Sequence, residues 1–485
     1  MKQLLTALIG VLLVAQCAPD PAPSTSTTEQ LSTKPAGQID IEAALLPSII
    51  VRGDDYSQYS LDQRRQFHGV PSASVAIARD GEIEWAAGYG DGIDADTLFQ
   101  AASLSKAVAA AGIITLAAQK GVRLDDDLTP LMTSLDLAAM NDSGKPVTLR
   151  ALLSHTNGAT VSGFPGYPTS ETIPSNLQVI QGTEITNTDP VTFQPIEDGE
   201  RRYSGGGYQV AQAWAEEASG EPFETLMKRL ILDPIGMTSS TFAQPLPEDI
   251  ASKNVAVAYT GDGEMVEGGW HVYPEQAAAG LWTTASDYAR FMLALMGAAD
   301  GDASLGLDPA VAAEMTTEVA EQYGLGMGLQ RPQGDERRWM HSGSNKGFRC
   351  TAMGFPDRKD VIVVMTNHPA GFPLLGEINR AGNRTYDWPR TPPVEVDRHK
   401  MSATELASFA GPYVREGETD ILFDIAVSGA DLVAQVRAYD YRFKLIPLST
   451  REFIDPGDLE RATMEKVDDL WVMETGGAKY FQVRE

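Results

Sequence analysis

Ser103 and Lys106 stand three residues apart at the head of a long apolar segment. That spacing suits covalent catalysis by a hydroxyl with an amine as its base. On a helix, residues i and i+3 share a face about 5–6 Å apart at Cβ, so the Lys106 amine reaches the Ser103 hydroxyl. Ser105 is adjacent to Lys106 in sequence, diverges from it on a helix, and is not the partner. Burial disfavours the charged form of an amine, and the neutral form carries the lone pair that abstracts a proton. The pair also admits a structural account, in which a lysine snorkels from a core helix beside a small packing serine. Two further clusters bear on the choice. In Arg202-Tyr203-Ser204-Gly205-Gly206-Gly207-Tyr208, a glycine-rich loop before a helical pattern places a phenol where it can enter a cleft. In the run from Met340 through His341, Ser342, Gly343 and Ser344 to Cys350, small and polar residues open a strand whose backbone N–H groups could face an oxyanion.

The elements that must position these groups follow from the pattern around them. Phe99 to Gln119 holds one charge, Lys106, and stops at Lys120-Gly121, which predicts a buried helix. Ser72 to Ile77, the Asp80-Gly81 turn and Glu82 to Gly88 read as strand, turn and strand. A later hairpin is expected over Thr351 to Phe355 and Val361 to Met365. Strands this far apart in sequence, with helical patterns between them, predict an antiparallel sheet covered by helices, an α/β (α+β) fold. Thr160 to Arg201 is rich in Pro, Gly and Thr and is a candidate pocket wall or lid. Beyond Trp388-Pro389 the character changes to short alternating runs between Tyr413 and Val483, which predicts a small barrel-like β domain.

With these motifs in place a family resemblance is visible. Phe99 to Lys106, Leu152 to Gly158, Tyr203-Ser204-Gly205, Asp233 to Met237, Ala278 to Thr284 and His341-Ser342-Gly343 occur in an order that resembles the serine β-lactamase-related family, class C branch. That branch includes class C β-lactamases, low-molecular-weight penicillin-binding proteins, D-aminopeptidases and esterases. The resemblance runs from about Val70 to about Thr366. It implies a β-lactamase/transpeptidase-like α/β sandwich plus an all-helical region, with the active site between them. It also implies Ser103 as nucleophile, Lys106 as general base and Tyr203 as proton shuttle. His341-Ser342-Gly343 would stand in place of the Lys-Thr-Gly strand motif, and the N–H groups of Ser103 and Ser344 would form the oxyanion hole. The tail resembles the lipocalin-like domains behind some of these hydrolases.

Two departures bear on substrate. Gly205 replaces the Asn that ends the Tyr-x-Asn motif of the β-lactamases, and His341 replaces the Lys that opens their strand motif. A mostly neutral imidazole stands for a cation, and an amide partner is gone. Both changes are similar to the esterase and aminopeptidase members. The expected activity is therefore acyl transfer to water on small ester or amide substrates. A D-amino-acid peptidase, β-lactamase or penicillin-binding activity, and a non-catalytic penicillin-binding-like sensor are the alternatives. His155 is expected to be structural, and Trp270-His271-Val272-Tyr273 either lines the pocket or packs in the core. His68, His271, His368 and His399 lack metal-ligand spacing, so neither a metal site nor a cofactor is expected.

The charge of −28 argues against nucleic acid and anionic membrane as partners. Met1-Lys2 followed by apolar Leu4 to Ala15 has the layout of a signal peptide. Cys17 behind Leu13-Val14-Ala15-Gln16 resembles a lipoprotein site, although Gln16 stands where Gly, Ala or Ser is usual. Export to the periplasm is the expectation, free or anchored through Cys17. Without Cys17 only Cys350 remains, so no intramolecular disulfide is expected in the mature chain. The expected organisation is a signal peptide over 1–17, a flexible linker over 18–40, the hydrolase domain over 41–390 and the small β domain over 400–485.

Overall fold

The computed structural model describes residues 34–54, 59–333, 336–389, 393–437, 441–455 and 460–483. Its centre is a six-stranded sheet in the order Glu82–Tyr89, Ala73–Arg79, Asp360–Thr366, Phe348–Phe355, Glu336–Asn345 and Gly328–Gln333. Every neighbouring pair is antiparallel. Helices cover both faces, which is why Asp360–Thr366 is buried along its whole length and reads as a continuous apolar run. On one face Val75, Ile77, Ile362 and Val364 pack against Leu374, Leu375 and Ile378 of helix Gly371–Thr385. On the other, Ala76, Val361, Val363 and Met365 meet the larger core that contains helices Ser105–Lys120, Gly205–Ser219 and Ala285–Ala299. The alternation of side chains along each strand divides the two cores.

Eight strands between Gly411 and Gln482 close into a sequential antiparallel barrel around Phe409, Tyr413, Phe423, Leu432, Met464 and Met473. Closure removes the sheet edges that a small β domain would otherwise expose. Runs are expected at Ile421 to Val427, Leu432 to Tyr439, Arg442 to Leu448, Trp471 to Glu474 and Lys479 to Val483; the barrel adds Gly411–Arg415, the three-residue Glu452–Ile454, and Arg461–Val467, which alternates with charge. Ile49–Val51 pairs in parallel with Val394–Val396. Ile49, Val51 and Val396 then pack on Ile446 and Ile454 of the barrel, which ties it to the hydrolase region. Each such fully buried side chain contributes about 1.5–3 kcal/mol.

Three expectations need correction. The linker does not run to residue 40, since Ala36–Ala43 is a helix with Ile41 wholly buried; its earlier part, the signal peptide and Cys17 lie outside the described residues. The helix expected from Phe99 is three pieces: a two-residue strand paired with Trp282–Thr283, a 3₁₀ turn over Ala102–Leu104, and the α-helix Ser105–Lys120. The break falls at Ala102, whose φ of 47° is incompatible with a continuous α-helix. Finally, His341 to Ser344 lie near the end of Glu336–Asn345, and the hairpin turn follows them.

Candidate active site

Ser103 sits in the 3₁₀ turn, one residue after Ala102. A non-glycine residue at positive φ costs on the order of 1–3 kcal/mol and persists only where its surroundings hold it. Here they do. Ala101 N–H donates to Leu281 O at 2.8 Å, Cys350 Sγ donates to Ala101 O at 3.0 Å, and Ser105 Oγ bridges Ala102 O at 2.5 Å and Leu281 N–H at 3.0 Å. Ser105 is thus fully used in holding the turn. Lys106, in the first turn of the helix, is 2% exposed and donates to Ser103 Oγ at 3.0 Å and to Ala278 O at 2.8 Å. Among the described residues its partners are a hydroxyl and a carbonyl and no carboxylate, so the amine is aimed at the hydroxyl.

Tyr203 precedes helix Gly205–Ser219, whose N-cap Ser204 accepts from Gly207 N–H at 3.0 Å. The three glycines form the first turn of this helix and are not a loop. A Cβ at Gly205 would lie 2.7 Å from the Phe164 ring, so Phe164 occupies the space an asparagine side chain would need. Lys106 Nζ lies 5.1 Å from the centre of the Tyr203 ring and 5.6 Å from that of Tyr208. His155, wholly buried, accepts from Ser204 N–H at Nδ1 (3.1 Å), and its ring centre is 4.5 Å from that of Tyr203. Burial first, then the Lys106 charge, push its pKa well down, so it is a neutral spacer that sets the backbone next to Tyr203. This is the structural role expected of it.

His341 approaches from the strand, 6.1 Å from Tyr203 between ring centres. Its Nδ1–H donates to Ser342 O at 2.6 Å. One edge of the ring keeps contact with solvent, yet burial of the rest, with the Lys106 and Arg201 cations nearby, pushes its pKa down to about 3. At neutral pH it is no substitute for a lysine. Gly343 explains the close fit of strand to turn: a Cβ there would meet Ala101 O at 2.6 Å and Cys350 Sγ at 2.5 Å. The backbone at Gly343 and Ser344 therefore lies against the turn that carries Ser103, and Ser342 faces solvent beside it.

An open cavity of about 360 Å³ adjoins this cluster, lined by Tyr203, His341, Ser342, Arg201, Glu321 and Tyr323 among others. The last three were not singled out in the sequence. Arg201 lies over the Tyr323 ring at 4.6 Å and faces Glu321 at 3.6 Å. Glu321 and Gln322 are consecutive non-glycine residues at positive φ, a strained turn at the mouth of the cavity. Arg201 carried one usable signal, its i−2 spacing from Tyr203 in extended chain. Tyr323 carried none, since only the tertiary fold brings it 6.3 Å from His341. Trp270, His271 and Tyr273 do not line this cavity. Trp270 packs on Trp282, His271 Nδ1 donates to Pro165 O at 3.0 Å, and Tyr273, wholly buried, accepts from Lys346 N–H at 2.8 Å. The segment expected as a wall or lid is packed down through Tyr167–Pro168, paired with His271–Val272, and helix Asn176–Gln181, and its end supplies Arg201.

Comparison with known proteins shows the family. Residues 60–387 match the family described as Beta-lactamase. Penicillin-binding protein 4 of Amycolatopsis lactamdurans is 25% identical over 384 residues, which cover 74% of this chain and 97% of that protein. Esterase EstB of Burkholderia gladioli is 26% identical over 228 residues, 42% of this chain and 54% of that protein. Among solved structures, the octameric penicillin-binding protein homologue from Pyrococcus abyssi has a TM-score of 0.54 at 21% identity, covering 87% of this chain and 98% of that one. D-amino acid amidase from Ochrobactrum anthropi SV3 has a TM-score of 0.53 at 23% identity, covering 67% and 98%. These two structures share the fold, and the first match is long enough to extend into the barrel.

Proposed function

From the chain's membership of the beta-lactamase family, which makes it a serine hydrolase, we propose that it hydrolyses small ester or amide substrates through an acyl-enzyme on Ser103. The observation that carries this is the 3.0 Å contact between Lys106 Nζ and Ser103 Oγ in a buried site without a carboxylate partner. Lys106 takes the Ser103 proton as Oγ attacks the carbonyl carbon. The N–H groups of Ser103 and Ser344 receive the oxyanion, and Tyr203 protonates the leaving group. Water then attacks the ester and releases the acid. Neutral His341 and the Phe164 ring over Gly205 argue against efficient β-lactam turnover, since a substrate carboxylate and side-chain amide lose their usual partners. A second reading, a peptide or amide of a D-amino acid, is favoured by the Arg201–Glu321 pair, which offers both signs of charge to a zwitterionic substrate. A D-amino acid amidase is among the proteins that share the fold.

The test is hydrolysis of p-nitrophenyl butyrate beside a chromogenic cephalosporin, with the wild type and Ser103→Ala. Ester turnover lost in the variant, with little cephalosporin cleavage, is expected. Stoichiometric labelling of Ser103 without turnover of ester, D-amino-acid amide or peptide would move the reading to a sensor. Export to the periplasm, with residues 1–17 as signal peptide and the chain either released or anchored through Cys17, belongs to the same proposal. Mass spectrometry of the mature N-terminus reads it directly: an unmodified, uncleaved terminus would refute it.

A further inference from the structure

A second cavity, of about 210 Å³, lies where helix Gly371–Thr385, helix Leu61–Phe67 and the Ile49–Val51 strand meet the barrel strand Tyr441–Pro447. It shares no lining residue with the cavity beside Tyr203 and His341. Roughly 150 Å³ of dry space is enough for a benzene ring, so a ring-sized body fits.

The lining is apolar at its walls and cationic in balance. Ile49, Ile446 and Phe443 supply the walls, and Phe67 and Phe372 stand at the surface, 65% and 38% exposed. Five arginine or lysine side chains line the cavity against three carboxylates, in a chain whose net charge is −28. Most of these charges are already matched: Arg64 with Glu377 at 2.6 Å, Arg398 with Asp54 at 3.0 Å, and Lys444 with Asp431 at 2.8 Å. Arg380 is the exception. Its Nε donates to Leu46 O at 2.9 Å, and among the described residues no carboxylate lies within ion-pair distance of it and its Nη atoms have no hydrogen-bond partner. Gly376, one turn earlier, keeps the space beside Nη1 open, for a Cβ there would come within 3.2 Å of that nitrogen. Burial pushes the Arg380 pKa down to about 10, with the nearby Glu377 carboxylate opposing that shift and the Arg64 cation adding to it.

We propose that this cleft is a binding site, separate from the catalytic one, for a small organic monocarboxylate with an aromatic or aliphatic body, whose carboxylate pairs with the Arg380 Nη fork while its body lies against Phe372 and Phe443. The fork geometry matches two carboxylate oxygens, and the apolar walls take the rest of the molecule. The strongly acidic surface disfavours a polyanion at the same place, whereas a single negative charge meets a local excess of cations. Both the hydrolase region and the barrel contribute to the walls, so an occupant would bridge them.

The probe is 4-phenylbutyrate, titrated into the full chain by calorimetry, with the neutral 4-phenylbutyramide as control. Expected are saturable binding of the acid, at least tenfold weaker binding of the amide, and at least a tenfold loss in Arg380→Gln with ester hydrolysis unchanged. Phe372→Ala, at a half-exposed site that does not hold the fold, is the second variant and should weaken the acid several-fold. Equal affinity for acid and amide, or no binding of the acid at millimolar concentration, would overturn the proposal. So would binding that survives both variants, or that is lost in Arg201→Gln, which would place the ligand in the cavity beside Tyr203 and His341.

Discussion

The two faces of the central sheet each hold a buried glutamate, and the two are treated in opposite ways. Glu377, on the face covered by helix Gly371–Thr385, is 2% exposed and receives Arg64 through two hydrogen bonds of 2.8 and 2.6 Å, with His68 at 3.1 Å. Arg64 is itself packed between the rings of Tyr59 and Phe67, at 4.3 and 4.1 Å. Glu275, on the catalytic face, is wholly buried, and among the described residues no cation or other residue donates to its carboxyl oxygens. It immediately precedes the short helix Gln276–Ala279, whose Ala278 carbonyl holds Lys106 and whose Ala279 carbonyl accepts from Asn345 Nδ2 at 3.1 Å. Among the described residues, His155 Nε2 and the Tyr323 hydroxyl are buried and unpartnered on that face as well. On one face the buried glutamate is matched by a cation; on the other it stands without one, beside the nucleophile.

Removing a charge from each face should separate the two roles. Lys106→Ala takes the base from Ser103 and should lower kcat/KM for ester hydrolysis by about 10³-fold while the protein still melts cooperatively near the wild-type temperature. Retained hydrolysis would show that Lys106 only packs. Arg64→Ala leaves Glu377 buried without its cation, which costs about 3–5 kcal/mol. Urea denaturation should show that loss, with kcat of the folded fraction unchanged. A fall in kcat with no loss of stability would erase the distinction between the faces. Gly343→Ala is smaller in its effect on rate and sharper in location. The added methyl meets the Ala101 carbonyl, pushes the strand from the Ser103 turn, and should cost about 10²-fold in kcat, as loss of an oxyanion donor does, with little change in KM.

How much of this was legible beforehand depended on whether the signal was local. The Ser103–Lys106 pair was readable because three residues of spacing and an apolar run are enough to place an amine on a hydroxyl. The sheet was readable where alternation or a continuous apolar run marked its strands, as in Val361 to Met365. The turn at Ala102 was not, because a positive φ at alanine is imposed by Leu281, Cys350 and Ser105 and has no local signature. Arg201, Glu321 and Tyr323 were missed for the same reason, since 120 residues separate the first two and only the fold joins them. The Arg380 cleft needed the barrel to be docked before its walls existed.

The two glutamates give the finest test, because their effects on stability run in opposite directions with pH. Burial alone would raise the Glu377 pKa, but the hydrogen bonds and charges of Arg64 and His68 hold it below its ordinary value. Its contribution is therefore present above the unfolded carboxyl value of about 4.3 and lost as pH falls through its folded value. Burial pushes Glu275 up to about 8, only partly offset by its own backbone N–H, with the phenols of Tyr167 and Tyr273 as its titratable neighbours. Here the neutral form is the native one. Stability is fully present below about pH 4.3 and declines as pH rises toward 8, because the unfolded chain releases a proton that the folded chain retains. Glu275→Gln removes that decline, so its melting temperature should sit near the wild type at pH 5 and rise above it at pH 8, by the equivalent of roughly 1–3 kcal/mol. Glu377→Gln should instead be most destabilised, relative to wild type, at neutral pH and recover toward acid pH. Parallel melting curves for Glu275→Gln and wild type across pH 5 to 8 would mean that Glu275 is paired in solution, and the contrast between the two faces would then rest on Lys106 alone.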